Sequence, residues 1–96
     1  MIIQTIRYKS GLSHDEVNRH FAERSERYRE VPGLVQKYYV QFTDTGEYGG
    51  IYVWDSPESL DAWRAGNLSG TLAETYKIEG EAVRELAEVM LVLHEH

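Results

Sequence analysis

The sequence contains no cysteine, which excludes disulfide bonds, thiol nucleophiles and thiolate metal ligands. It has only two prolines and no apolar run of the roughly 18 residues that a membrane-spanning helix needs. Basic residues are also scarce, with 10 Lys and Arg against 16 Asp and Glu, so the concentrated positive surface that binds phosphate backbones is missing. We therefore expect a cytoplasmic protein that binds neither nucleic acid nor membranes.

The length of 96 residues and the hydrophobic content of 42% are sufficient for one small domain. We expect residues 1–96 to form this domain as one layer of helices on one sheet. The arginines of the first predicted helix alternate with glutamates, a pattern that is typical of a solvated face with ion pairs. They are Arg19, Arg24, Arg27 and Arg29.

The apolar patterns predict the order strand, helix, strand, strand, helix, strand. Ser13 and Glu16 have the spacing of a capping box, and Ser56-Pro57 is a typical start for the second helix. The predicted elements are residues 2–8, 14–30, 34–42, 48–54, a second helix that breaks near Gly66 and Gly70 into two pieces, and 81–93. The last segment favours helix by propensity, but the open position in a split βαβ sheet predicts a strand.

The third predicted strand carries large side chains on both of its faces. Successive strand residues point to opposite sides, so Ile51 and Val53 share one face while Tyr52 and Trp54 share the other. A chain of this length supplies helices for one face only. We therefore expect a homodimer formed through the open sheet face, with Tyr52 and Trp54 beneath the helices. Gly49-Gly50 in the same strand indicates a β-bulge, or else a place where other atoms approach the backbone closely.

The motif PG-x-x-x-K in residues 32–37, followed by GGIY in residues 49–52, resembles the YdhR-type putative monooxygenases of the dimeric α+β barrel superfamily. The similarity extends over nearly the whole chain, and its sharpest motifs lie in residues 32–68. It implies a ferredoxin-like βαββαβ fold with a four-stranded antiparallel sheet, a homodimer, and a small-molecule cavity between sheet and helices. Related families include cofactor-independent antibiotic-biosynthesis monooxygenases and haem-degrading enzymes of the IsdG type.

The resemblance also bears on the cofactor. Trp54 lies where the haem-degrading relatives have a tryptophan, but Asn67 occupies the position at which YdhR-type sequences tend to have a histidine. An amide is a poor axial ligand for haem iron. The resemblance therefore implies a monooxygenase without a cofactor, acting on a small aromatic or quinone-like ligand.

The candidate substrate-binding residues are Trp54, Tyr52, Arg7 and Trp63, and the candidate catalytic residues are His20, Lys37 and Asn67. Aromatic walls with hydroxyl groups suit a flat phenolic ligand, although ordinary core packing is the simpler explanation for Trp54 and Trp63. Arg7 and Lys37 are positioned to stabilise a phenolate or enolate, or to form ion pairs with Glu85 or Glu88. His20, at the edge of the apolar stripe of the first helix, is a candidate base, and Asn67 a candidate for orienting a carbonyl.

No metal site is predicted, because the histidines at 14, 20, 94 and 96 show no metal-ligand spacing. His94-Glu95-His96 is interpreted as an irregular chain end. Two other functions remain open at this point. One is a non-catalytic small-molecule-binding or stress-response module, and the other is an isomerase or lyase of the same fold.

Overall fold

The computed structural model describes residues 1–94, so Glu95 and His96 of the predicted chain end lie outside the described residues. The elements are β1 (Ile2–Ser10), α1 (His14–Tyr28), β2 (Leu34–Gln41), β3 (Tyr48–Trp54), α2 (Pro57–Arg64), α3 (Asn67–Gly70), α4 (Leu72–Tyr76) and β4 (Ile78–Glu88). The four strands form one antiparallel sheet in the order β2-β3-β1-β4. This is the predicted ferredoxin-like α+β fold. Within residues 1–94, no helix is both long and apolar enough to cross a membrane.

Helix α1 begins with the predicted capping box. The backbone N–H of Glu16 donates to the Ser13 hydroxyl at 3.2 Å, and the backbone N–H of Ser13 donates to the Glu16 carboxylate at 3.1 Å. The helix ends at Tyr28, two residues before the predicted end. These reciprocal bonds satisfy two of the backbone donors that a helix start leaves free, which fixes where α1 begins.

The C-terminal segment forms β4, as the topology predicted and against its helical propensity. It pairs with β1, for example Thr5 with Glu85 and Ile3 with Ala87. The strand starts at Ile78 and ends at Glu88, both earlier than predicted. Pairing along a free edge of β1 stabilises the strand, which shows that tertiary context outweighs local preference here.

The second helical region is divided into three pieces rather than the predicted two. Gly66 precedes α3, and α3 ends after four residues, at Gly70. Helix α4 then ends at Tyr76 and is capped by Lys77, whose φ of 49° is in the left-handed region. Such short pieces allow the chain to turn across the sheet and place Leu72 and Tyr76 in the core.

Gly49 and Gly50 do not form the β-bulge that the sequence indicated. The pairing of β3 with both neighbours runs through them without a shift, so that interpretation is wrong and the close-approach alternative holds. A Cβ on Gly49 would lie 1.9 Å from the carbonyl oxygen of Ile6, and one on Gly50 would lie 2.9 Å from the ring of Tyr52. These glycines therefore allow β1 to approach β3 and the ring of Tyr52 to lie over Gly50.

All helices lie on one face of the sheet. Side chains on this face are buried, including Ile6, Tyr52 and Trp54, whereas Ile51 and Val53 lie on the other face and are only half-buried. The predicted division of β3 into two faces is thus confirmed. The face without helices also exposes Tyr38 and Val83, which are 53% and 45% accessible to solvent.

Candidate functional site

Lys37 lies on the helix-facing side of β2 and is surrounded by tyrosines. Its Nζ atom is 3.3 Å from the ring centroid of Tyr28, 4.1 Å from that of Tyr39 and 4.4 Å from that of Tyr52. Tyr28 comes from the last turn of α1, Tyr39 follows two residues later on the same face of β2, and Tyr52 belongs to the neighbouring β3. We call Lys37 and these three tyrosines the lysine cage.

The amine in the lysine cage has no negatively charged neighbour. Within residues 1–94, Lys37 forms no ion pair, so the predicted alternatives of Glu85 and Glu88 do not apply. Burial lowers the pKa of Lys37 to about 6, and the positive charge of Arg24 adds to this effect. Contact with the aromatic faces favours the ammonium and opposes this shift, but the loss of hydration is its largest cause. Lys37 is therefore much easier to deprotonate than an ordinary lysine.

Tyr39 and Tyr52 are hydrogen-bond donors rather than anions. Burial raises the pKa of Tyr39 above its ordinary value, and burial together with the neighbouring Tyr28 raises that of Tyr52. Among the described residues, the hydroxyl groups of Tyr28 and Tyr39 are buried and lack a hydrogen-bond partner. A buried donor without a partner is costly to the fold, so a ligand oxygen that reaches either hydroxyl is bound favourably.

Two cavities meet at the lysine cage. A groove of about 370 Å³ opens to solvent and is lined by Tyr28, Leu34, Lys37 and Tyr39, among others; we call it the outer groove. An inner cavity of only about 10 Å³ lies between Lys37 and the core, beside Gly50. Only the outer groove has a volume within the usual range for small-molecule sites. A ligand in it reaches Lys37 from the solvent side.

Trp54 packs in the core beneath the lysine cage and lines neither the outer groove nor the inner cavity. It is fully buried, stacks against Tyr52 with ring centroids 6.2 Å apart, and packs against Trp63 at 5.7 Å. Its Nε1 donates to Oε1 of Gln4 at 3.1 Å. Trp54 and Trp63 thus contribute to an aromatic core that fixes Tyr52, which is the packing alternative considered above.

The remaining predicted site residues lie elsewhere. Arg7 is on the opposite face of the sheet, where its guanidinium contacts Phe42 and lies 3.6 Å from the carboxylate of Glu47. His20 is on α1, with its ring 5.9 Å from that of Tyr76. Asn67 lines a separate groove of about 520 Å³, together with Trp63. Of the predicted set, the structure places Lys37 over the ring of Tyr52, and Tyr52 packs in turn against Trp54 and Trp63. Arg7 and His20 lie apart from this group.

Arg24 corrects the prediction that the arginines of α1 all face solvent. It is only 7% exposed, and its guanidinium donates to the Leu68 carbonyl at 2.6 Å and to the hydroxyls of Thr71 and Thr75 at 3.2 and 3.1 Å. These bonds connect α1 to the short helices. Because the acceptors are neutral, the charge of Arg24 remains uncompensated by a carboxylate and acts on Lys37.

Sequence reasoning missed Tyr28, Tyr39 and Gln4 as site residues. Tyr28 was recognised only as part of the apolar stripe of α1, and Tyr39 only as part of an aromatic run in β2. The useful signal was Lys37 itself, because a lysine between inward-facing strand residues requires a local environment that can accept an amine.

The sequence matches the profile of the family described as "Putative mono-oxygenase ydhR" over residues 3–87. No curated protein matches the chain. Solved structures with the same fold include MhuD from Mycobacterium tuberculosis, described as a heme-degrader with two hemes bound in its active site, at 19% identity and a TM-score of 0.78 over 98% of this chain and 100% of that one.

Two further structures extend the comparison. SnoaB from Streptomyces nogalater, described as a cofactor-independent oxygenase, is 18% identical, with a TM-score of 0.76 over 98% of this chain and 97% of that one. An antibiotic biosynthesis monooxygenase from Deinococcus radiodurans, described as putative, is 10% identical, with a TM-score of 0.75 over 100% and 99% of the chains. At these identities the three structures establish a shared fold, and the reaction has to be argued from this chain's own residues.

The residues of this chain do not fit a haem group held by a histidine on the helices after β3. Residues 57–76, which contain α2, α3 and α4, have no histidine, and Asn67 accepts a hydrogen bond from Arg27 at 3.2 Å. His14 lies on α1, where its Nδ1 is 3.0 Å from the hydroxyl of Tyr48. The inner cavity is also far too small for a macrocycle. We therefore derive no chemistry through haem.

Proposed function

Because this chain belongs to the YdhR family of putative mono-oxygenases, we propose that it oxidises a small aromatic or quinone-like molecule with O2 and without a cofactor. The observation that carries this proposal is the buried amine of Lys37 in the lysine cage, whose pKa is lowered and which lies next to a groove with the volume of a small-molecule site. An oxygenation without metal or flavin needs a base that turns the substrate into an electron-rich anion. Lys37 is our candidate for that base.

The lysine cage suits both states of such a base. Lys37 takes a proton from an activated CH2 group of the substrate and becomes an ammonium, which the faces of Tyr28, Tyr39 and Tyr52 stabilise. The hydroxyls of Tyr28 and Tyr39 have no other partner and donate to the oxygen on which the substrate's negative charge collects. The substrate anion then reduces O2. One oxygen atom becomes the carbonyl oxygen of the product, and the other leaves as water with the two hydrogens of the CH2 group.

Oxygen uptake tests this proposal. The purified protein is assayed with a panel of anthrones, which have the activated CH2 group, in buffer that contains a metal chelator. We expect uptake above the protein-free rate for at least one compound. Replacing Lys37 by methionine keeps the length of the side chain but removes the base, and should lower the rate by about 10²- to 10⁴-fold. Lys37→Arg should be equally inactive, because a guanidinium stays protonated.

Lys9→Met is the matched control, since Lys9 is exposed at the end of β1 and should leave oxygen uptake unchanged. A Lys37→Met variant that retains activity would remove Lys37 as the base. If no compound raises oxygen uptake but ligands raise the melting temperature, the protein is better described as a binding module. The very small inner cavity is the observation that favours this second function, because it leaves no enclosed space for a reaction.

We also propose that a second copy of the chain covers the open face of the sheet. Ile3, Ile51, Val53 and Tyr38 lie side by side there through the pairs Ile3 with Val53 and Tyr38 with Ile51. A sheet with one solvated face normally presents polar residues on that face. Light scattering should give a mass of about twice 11.1 kDa at micromolar concentration.

Ile51→Lys places a charge on the open face and should produce a monomer that remains folded by circular dichroism. The control is Val35→Lys, which changes an exposed residue of similar character at the start of β2, next to the irregular pairing of Leu34 and Gln36. A wild-type mass near 11 kDa would refute the dimer.

A further inference from the structure

The geometry of the lysine cage also suits covalent chemistry that needs no oxygen. Lys37 lines both the outer groove and the inner cavity, so its amine lies between solvent and the aromatic core. Within residues 1–94 no carboxylate pairs with it, and its Nζ atom faces aromatic rings instead. An amine without an ion pair, beside an open groove, is a nucleophile towards carbonyl carbon.

We propose that Lys37 captures small apolar aldehydes from the outer groove as an imine, with the hydroxyls of Tyr28 and Tyr39 as the acids that assist the reaction. This activity goes beyond the proposed oxygenation and does not depend on it. Both hydroxyls belong to rings that contact Nζ, and neither has a partner among the described residues. Both rings also line the outer groove, from which the aldehyde approaches Nζ.

The chemistry is balanced without any further reactant. The lone pair of Nζ forms a bond to the carbonyl carbon, and the proton that the nitrogen loses moves to the oxygen, giving a carbinolamine. A tyrosine hydroxyl then protonates the departing OH group, the C–O bond breaks, and water leaves as the C=N bond forms. The second proton of the original amine returns to the tyrosine, so one aldehyde and one amine give one imine and one water.

The lining of the outer groove indicates the class of aldehyde. Leu34, Val35 and the rings of Tyr28 and Tyr39 offer apolar contact, and Ser25, Gln36 and Arg29 add polar groups to the lining. The guanidinium of Arg29 is already paired with Glu26 at 3.4 Å, and the groove of about 370 Å³ accommodates a single aromatic ring with short substituents. An aromatic aldehyde such as benzaldehyde meets these requirements and is the probe we choose.

Reductive trapping compares all lysines within one wild-type molecule. The chain has three, Lys9, Lys37 and Lys77, and both of the others are exposed. The protein is incubated without oxygen at pH 7 with benzaldehyde and cyanoborohydride, and the benzyl groups are located by peptide mass spectrometry. Because ordinary lysines are almost fully protonated at pH 7, Lys37 should be labelled at least about tenfold faster than Lys9 and Lys77.

The pH dependence provides a second readout. Labelling of Lys37 should already be near its maximum at pH 7, as its lowered pKa of about 6 implies, whereas labelling of Lys9 and Lys77 should keep rising beyond pH 9. Tyr39→Phe keeps the ring but removes the hydroxyl, and should slow labelling of Lys37 severalfold without changing that of Lys9.

The proposal is overturned if Lys37 is labelled no faster than the exposed lysines, or if the benzyl group is found only at the Met1 amine. Because the trapping is done without oxygen, its result is separate from that of the oxygen-uptake assay. A protein that oxidises substrate but resists trapping uses Lys37 only as a base. If Lys37 is labelled by benzaldehyde but the protein takes up no oxygen, Lys37 is a nucleophile and the proposed oxygenation is refuted.

Discussion

Replacing Lys37 by methionine should stabilise the protein against unfolding near neutral pH, even though it removes the group on which both proposals depend. In the unfolded chain Lys37 has its ordinary pKa of 10.5, whereas burial lowers the pKa to about 6 in the folded protein. Between these two pH values the unfolded chain holds one more proton than the folded protein. Folding therefore releases a proton, and the stability of the wild type rises with pH over this window.

The size of the effect follows from the two pKa values. At pH 7 the cost of deprotonating a lysine of ordinary pKa is at most about 5 kcal/mol. Partial access to solvent and contact with the faces of Tyr28, Tyr39 and Tyr52 reduce this cost, so we expect Lys37→Met to gain about 2–4 kcal/mol. The gain should fade as the pH approaches 10.5, where both states of the wild type hold a neutral amine.

Urea denaturation of the wild type and Lys37→Met at several values between pH 6 and pH 10 measures the difference directly. Comparing the two proteins removes the titration of the tyrosines, which is common to both. At pH 7 a gain of this size raises the melting temperature by about 10–20 °C. Lys9→Met is the control and should show no pH-dependent difference. A Lys37→Met variant that is destabilised at all pH values, or whose gain increases with pH, would refute the account of the lysine cage.

Three further predictions concern the packing around the site. Gly49→Ala should destabilise the protein more than Gly50→Ala, because the new Cβ lies 1.9 Å from the backbone of Ile6 in the first case and 2.9 Å from the ring of Tyr52 in the second; urea denaturation compares them, and equal losses would contradict this. Arg24→Ala should cost about 3 kcal/mol by the same measurement, whereas Arg19→Ala on the exposed side of α1 should cost less than about 0.5. Gln4→Met should cost about 1–2 kcal/mol by leaving Nε1 of Trp54 unpaired, and the double variant with Trp54→Phe should cost less than the sum of the single changes; additive losses would show that the 3.1 Å bond does not contribute.

The candidate site was only partly readable from the sequence. Tyr52 and Lys37 were recognised because alternation along a strand places residues on a known face. Arg7 follows the same rule, but its face could be assigned only once the neighbouring Ile6 and Tyr8 were seen to be buried beneath the helices. The environment of Lys37 depends on Tyr28, which reaches it from another element, and no local pattern encodes that contact.

The sequence by itself determined the order of the elements and the two faces of β3, since hydrophobic period, caps and turn residues act over a few neighbours. It also determined that β4 completes the sheet, because only one position remained for it. Tertiary structure alone decided that Arg24 is buried, that Gly49 and Gly50 allow close approach rather than a bulge, and that Lys37 loses its hydration. Each of these depends on which atoms of distant segments come within a few ångströms of the residue. The pKa of a buried amine such as Lys37 is set by these neighbouring atoms.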